Sequence, residues 1–133
     1  MLFIYFYSMN KIVQTNDAPA PIGPYSQAVR SGPFVFISGQ IALHPETGNL
    51  HTEDIQSETH QVMHNLKAIL SAEGLTFSHV VKTSIFLSDM SLFGEVNEVY
   101  GKYFEGNFPA RETIAVKGLP KNVNVEISMI AST

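Results

Sequence analysis

Arg111 and Glu126 are the residues of this sequence best suited to chemistry on a small molecule. Arg111 stands in Phe108-Pro-Ala-Arg-Glu-Thr-Ile-Ala-Val116, and Glu126 in Asn124-Val-Glu-Ile-Ser-Met-Ile130. Both stretches read as strands, whose successive side chains point to opposite faces. Arg111, Thr113 and Ala115 then share one face of the first, and Ile114 and Val116 the other. In the second, Val125, Ile127 and Met129 oppose Glu126. With the apolar sets packed beneath helices, Arg111 and Glu126 are expected together on the opposite face. A guanidinium turned into an interior must be paired or must bind an anion. Spacing alone leaves two readings open: an ion pair across strands, or a carboxylate-binding site with an acid nearby.

Other chemistries find less support. His60 and His64, in His60-Gln-Val-Met-His64, have the spacing of a helical zinc pair. Gln61 occupies the position where a metalloprotease carries its glutamate. Both rings are expected on the solvent side of their helix, so no metal site is expected. His44, His51 and His79 fall in or near loops and make no cluster. There is no Gly-x-Ser-x-Gly elbow and no glycine-rich phosphate loop. Ser26, in Gly23-Pro-Tyr-Ser26, lacks an identifiable base. The absence of cysteine excludes disulfides, cysteine zinc sites and thiolate catalysis.

The scaffold around these residues is small. A chain of 133 residues is one domain by the usual range of roughly 100–200 residues. Apolar residues make up 44% and charged residues 15%, the latter well below the common value of about 25%. That balance excludes a disordered chain. A net charge of −4, from 12 acids and 8 bases, argues against a nucleic-acid partner. The apolar run Met1–Ser8 is far short of the roughly 20 residues of a membrane span. It has no basic flank of a signal peptide, and no other long apolar run exists, so no membrane partner is expected. A second methionine, Met9, divides an N-terminal extension, residues 1–8, from a domain over residues 9–133. The alternative for the extension is an added edge strand.

Periodicity predicts an α+β domain. Residues 54–73 read as a helix with Ile55, Thr59, Val62, Met63, Leu66, Ile69 and Leu70 on one face, Asp54 as its cap and Gly74 as its stop. Residues 91–104 read as a second helix with Leu92, Val96, Val99, Tyr100 and Tyr103 as its stripe. Strands are expected at 11–14, 28–31, 34–41, 80–87, 112–117 and 123–131. The order places both helices on one face of a mixed sheet. Phe34-Val-Phe-Ile-Ser-Gly-Gln-Ile41 and Val80-Val-Lys-Thr-Ser-Ile-Phe-Leu87 are apolar on both faces, whereas a sheet with one solvated face alternates more cleanly. Two helices cover one face only, which leaves the other for a second copy of the chain.

Four segments in order resemble one family: Gly23-Pro-Tyr-Ser-Gln-Ala28; Ser38-Gly-Gln-Ile41 with Pro45-Glu-Thr-Gly48; Phe93-Gly-Glu-Val-Asn-Glu-Val-Tyr100; and Pro109-Ala-Arg111 running into Leu119-Pro-Lys121 and Val125-Glu-Ile127. The chain resembles the reactive intermediate deaminase family, also called YjgF-like or liver perchloric-acid-soluble protein, and most closely its RidA branch, over about residues 9–132. The resemblance implies a chorismate-mutase-like fold and a homotrimer whose sheets form a central β-barrel. It implies clefts between subunits for small 2-imino or 2-oxo acids. It implies hydrolysis of 2-aminoacrylate and 2-iminobutanoate, released by pyridoxal-phosphate-dependent serine and threonine dehydratases, with no cofactor. Arg111 matches the arginine that grips the substrate carboxylate, and Glu126 the glutamate that orients or activates water. Tyr25 matches the tyrosine of the Gly-Pro-Tyr loop, Ser38 and Gly39 a pocket-lining strand end, and Phe93 and Asn97 the helix residues edging the site. Thr113 stands where many members have cysteine, with a backbone N–H able to bind substrate. Glu112 departs from the family, which prefers a small residue there; turned inward it would weaken carboxylate binding. Tyr25 and Phe93 also read as plain interface packing, and Ser38 and Gly39 as strand geometry. Two other functions stay open: an endoribonuclease or translation inhibitor, and a non-catalytic ligand-binding trimer. A cytoplasmic location is expected, with an organellar one left open.

Overall fold

The computed structural model describes residues 10–133, so the extension over residues 1–8 and the domain start at Met9 lie outside the described residues. The order is β1 (Lys11–Val13), β2 (Ala28–Ser31), β3 (Phe34–Gln40), α1 (Ile55–Ala72), β4 (Val80–Leu87), α2 (Phe93–Gly101), β5 (Ala110–Ala115) and β6 (Val125–Ser132), with single 3-10 turns at Phe77–His79, Met90–Leu92 and Pro120–Asn122. The strands form one mixed sheet in the order β1-β2-β3-β6-β4-β5. β6 is antiparallel to both β3 and β4, and β5 runs parallel to β4. The second helix is shorter than the expected span, because a 3-10 turn precedes Phe93 and the chain leaves the helix after Gly101. Tyr103 nonetheless packs against the core.

Capping and periodicity fix α1. The Asp54 carboxylate accepts the Ser57 N–H at 2.7 Å, satisfying one of the donors that a helix start leaves free. At the far end Gly74 adopts φ 70°, and the Leu75 N–H donates to the Leu70 carbonyl. Only a residue without a β-carbon adopts that left-handed geometry at little cost. Val62, Met63, Leu66, Ile69 and Leu70 pack on Val35, Ile37, Ile85, Leu87, Val125, Ile127 and Met129, all buried. β6 alternates strictly: Val125, Ile127, Met129 and Ala131 are buried, while Glu126, Ser128, Ile130 and Ser132 are half-buried on the other face.

That other face is the apolar one expected from the strands. Phe34, Phe36, Val81 and Ile114 are each exposed by more than a third of their surface.

A fully buried carboxylate ties α1 to the start of β6. Glu58 accepts the Asn124 N–H at 2.7 Å, the Val125 N–H at 3.1 Å and the Asn124 amide Nδ2 at 2.8 Å. The apolar face read for α1 does not include Glu58, since a lone acid carries no mark of burial. Glu58→Gln keeps the shape but turns an NH2 toward one of three donors. Leaving a buried donor unpaired costs about 1–2 kcal/mol, so thermal melts should show that loss of stability.

Candidate functional site

The sheet register decides where the two charged residues point. Arg111 pairs with Thr83 and Thr113 with Ile85 across β4 and β5. Thr83 and Ile85 are fully buried beneath the helices, and paired residues share a face. Arg111 and Thr113 therefore lie on the helix side. Glu126 pairs with Phe86, on the opposite side. This corrects the expectation that Arg111 and Glu126 project from one face. The sign of the alternation in β5 is reversed: Ile114 and Glu112 are exposed on the open face, and Arg111 is half-buried under α2. Thr83 and Phe86 are three residues apart on β4, and β4 separates β5 from β6. Two strand spacings and three residues put the Cα atoms of Arg111 and Glu126 roughly 14 Å apart. The cross-strand ion pair is not formed. Among the described residues the ion pairs are Lys11–Glu73, Arg30–Glu73 and Lys82–Glu112.

Around Arg111 the structure gathers Phe93, Asn97 and Thr113. The guanidinium carbon lies 5.7 Å from the Phe93 ring centre and 5.2 Å from that of Tyr100. Asn97, Tyr100, Gly101, Phe108, Pro109 and Arg111 line an open cleft of about 360 Å³. The Thr113 hydroxyl is buried and has no hydrogen-bond partner among the described residues. Glu112 does not turn inward. It pairs with Lys82 at 2.9 Å and accepts from Ser84 on the open face, so the acid beside Arg111 in sequence leaves the guanidinium free.

Around Glu126 the structure gathers Tyr25 and Gly39, with Ser38 close by. A small cavity of about 50 Å³ is lined by Tyr25, Gln27, Gly39, Pro120 and Glu126, among others. A β-carbon at position 39 would lie 2.5 Å from the Glu126 carboxylate oxygen Oε2; glycine there lets the carboxylate rest against β3. Burial raises the Glu126 pKa above the ordinary glutamate value. Tyr25 is half-exposed, and its phenol oxygen accepts the Ile22 N–H at 3.2 Å, closing its own loop. Ser38 donates its hydroxyl to the Ser26 carbonyl at 2.6 Å and its N–H to Gln27. Its side chain holds the Gly-Pro-Tyr-Ser loop.

Two further residues belong to the Arg111 cleft: Phe108, which carries no sequence signal, and Tyr100, which is buried as expected but also faces the guanidinium. The i+7 spacing of Tyr100 from Phe93 places both rings on one helix face. Of the two helical histidines, His64 is exposed as expected and His60 is not. His60 is half-buried, with Nδ1 2.6 Å from the Tyr103 hydroxyl. His44 and His51 stack at 5.3 Å, because a hairpin closed by Leu43 and Leu50 sets them side by side. Among the described residues no group of three metal-ligating side chains forms, and no helix is long and apolar enough to cross a membrane.

Comparison with known proteins places this geometry in context. The family model described as endoribonuclease L-PSP matches residues 15–133. The 2-iminobutanoate/2-iminopropanoate deaminase of Mus musculus is 46% identical over 123 residues, 92% of this chain and 91% of that protein. Reactive Intermediate Deaminase A, chloroplastic, of Arabidopsis thaliana is 47% identical over 122 residues, 92% of this chain and 65% of that protein. The crystal structure of E. coli TdcF with bound serine superposes with a TM-score of 0.89 at 40% identity, covering 92% of this chain and 98% of that one.

Proposed function

Since the chain belongs to the endoribonuclease L-PSP family, whose relatives include RidA proteins and 2-iminobutanoate/2-iminopropanoate deaminases, we propose that it hydrolyses small 2-imino acids to 2-oxo acids and ammonia. Its substrates on this reading are 2-aminoacrylate, through its imine tautomer, and 2-iminobutanoate. It works in the cytoplasm, beside the dehydratases that release them, and without a cofactor. The observation that carries the reading is the split site. Arg111 has no carboxylate partner among the described residues, and an unpartnered buried hydroxyl, Thr113, lies two residues along the same face. Glu126 stands on the other face with its pKa raised by burial. One copy cannot bring the two together, so the reaction needs an arginine from one copy and a glutamate from the next. The exposed apolar face supplies the surface for such contacts, and a homotrimer closes them. A stable obligate interface buries on the order of 2,000 Å² or more.

In this reading the Arg111 fork grips the substrate carboxylate through two parallel charge-assisted bonds. Thr113 adds a hydroxyl or N–H, and Asn97 and Phe93 edge the cleft. Tyr25 and Gly39 frame the Glu126 side. Water attacks the imine carbon as Glu126 accepts its proton. Glu126 passes that proton to the nitrogen to give the carbinolamine, whose C–N bond then breaks as Glu126 relays the hydroxyl proton to the departing nitrogen, so the water oxygen becomes the oxo group and both of its protons leave on ammonia. Positioning supplies much of the acceleration, since the imine carbon is already electrophilic. The serine held by E. coli TdcF carries the carboxylate and α-nitrogen such a cleft would take.

The test couples the chain to a purified threonine dehydratase and follows 2-oxobutanoate. The protein should speed its appearance beyond the spontaneous rate, and an unchanged rate overturns the reading. RNA turnover that survives both repurification and replacement of Arg111 would favour a ribonuclease instead.

A further inference from the structure

We infer that Tyr100 is a positioning residue for Arg111, acting through its ring, and that carboxylate affinity depends on it. The inference rests on Arg111 being the carboxylate anchor. Among the described residues no acid within 4 Å holds the guanidinium. Its close neighbours include two rings, Phe93 at 5.7 Å and Tyr100 at 5.2 Å. A cation over an aromatic face is attracted by the ring quadrupole, and more so where water is displaced. The two rings differ in how firmly they are fixed. Phe93 begins α2 and is 39% exposed, whereas Tyr100 is 4% exposed. The Tyr100 hydroxyl donates to Thr83 Oγ1 at 3.0 Å, and Thr83 is the residue that β4 sets opposite Arg111. Tyr100 thus joins α2 to the sheet at the register of the arginine and holds a flat surface beneath it. The guanidinium lies over that ring and lines the cleft together with Asn97, Phe108 and Pro109. An aromatic platform orients the cation without neutralising it, as a carboxylate partner would. A flexible arginine without such a support would lose side-chain freedom on every binding event.

Binding of 2-oxobutanoate and deaminase KM and kcat, measured on the oligomer at low temperature, test this. Tyr100→Phe keeps the ring and loses the bond to Thr83; affinity and KM should stay within about twofold, with some loss of melting temperature. Tyr100→Leu removes the ring; binding should weaken by about 5- to 30-fold, the size of a desolvated cation–π contact, with KM raised more than kcat is lowered. Phe93→Leu, on the exposed ring, should weaken binding less and leave the melting temperature unchanged, so it reports even where Tyr100→Leu fails to fold. Affinity that follows melting temperature across these variants, or a Phe93→Leu protein with unaltered affinity beside an unfolded Tyr100→Leu, overturns the inference. Arg111→Lys separates the two levels. If it binds 2-oxobutanoate as the wild type does, the anchor reading itself fails. If it loses binding while Tyr100→Leu keeps it, only the platform fails.

Discussion

Arg111→Lys should cripple deamination and weaken binding of 2-oxo acids while leaving the oligomer intact. Lysine keeps the positive charge but loses the planar fork that meets both carboxylate oxygens, and it stacks less well on a ring. A hydrogen bond to a charged group is worth roughly 1.5–3 kcal/mol, or about 10- to 150-fold in binding. The loss should therefore appear in both KM and kcat/KM. The structure sharpens what stability should do. Arg111 has no ion pair to break among the described residues, and it sits half-buried on an edge strand. Thermal melts should thus shift little, and light scattering should report the same mass as the wild type. A variant that loses activity only in proportion to its melting temperature would return Arg111 to a structural role.

The point on which sequence reading went astray is instructive. Helix α1, its Asp54 cap and its buried face follow from spacing, because a helix of several turns repeats its apolar face often enough to fix its orientation. β6 was equally legible: Val125, Ile127 and Met129 are all apolar and all inside. β5 offered only Ile114 and Val116 against Arg111, Thr113 and Ala115. Alternation fixes which residues share a face but leaves open which face is inside. Assigning the apolar pair to the core is sound where the other face meets water. Here the open face is itself apolar, with Phe34, Phe36 and Ile114 exposed on the single chain, so hydrophobicity lost its power to choose. The parallel register with β4 chose instead, and it set Arg111 against buried Thr83. The apolar open face is legible in β3 and β4; carried through to β5, it makes Ile114 a poor guide to the core. Gly39 was legible as a strand-end residue, but the close approach of Glu126 to it was not, since two residues 87 positions apart in sequence carry no mark of contact.

Glu126→Gln should cost roughly 10²–10⁴ in turnover, the usual loss on removing a general base, with 2-oxo acid binding kept within a few-fold because its partner is water. The pH dependence follows from the burial that raises its pKa. The base must be ionised to accept a proton, so wild-type turnover should fall as pH drops through a value above the ordinary glutamate range, and the glutamine variant should lack that limb. Stability takes the opposite sign. The folded state holds the Glu126 proton more tightly than the unfolded chain, so between the two pKa values folded molecules carry more protons and stability falls as pH rises. At neutral pH the glutamine variant should melt at or above the wild-type temperature, and the difference should vanish in acid; an ion-paired glutamate would behave in reverse. Arg111 and Glu126 lie on opposite faces, so on the proposed reading the two defects fall on different copies of the chain at one site. Arg111→Lys and Glu126→Gln chains, each strongly impaired alone, should recover activity when unfolded together and refolded. In a head-to-tail ring assembled at random from equal amounts, about one interface in four joins an intact arginine to an intact glutamate. Recovery near that fraction supports a shared site. No recovery from a mixture shown to have exchanged chains would place both residues in the same copy, which the sheet forbids for direct contact, and would remove Glu126 from the reaction.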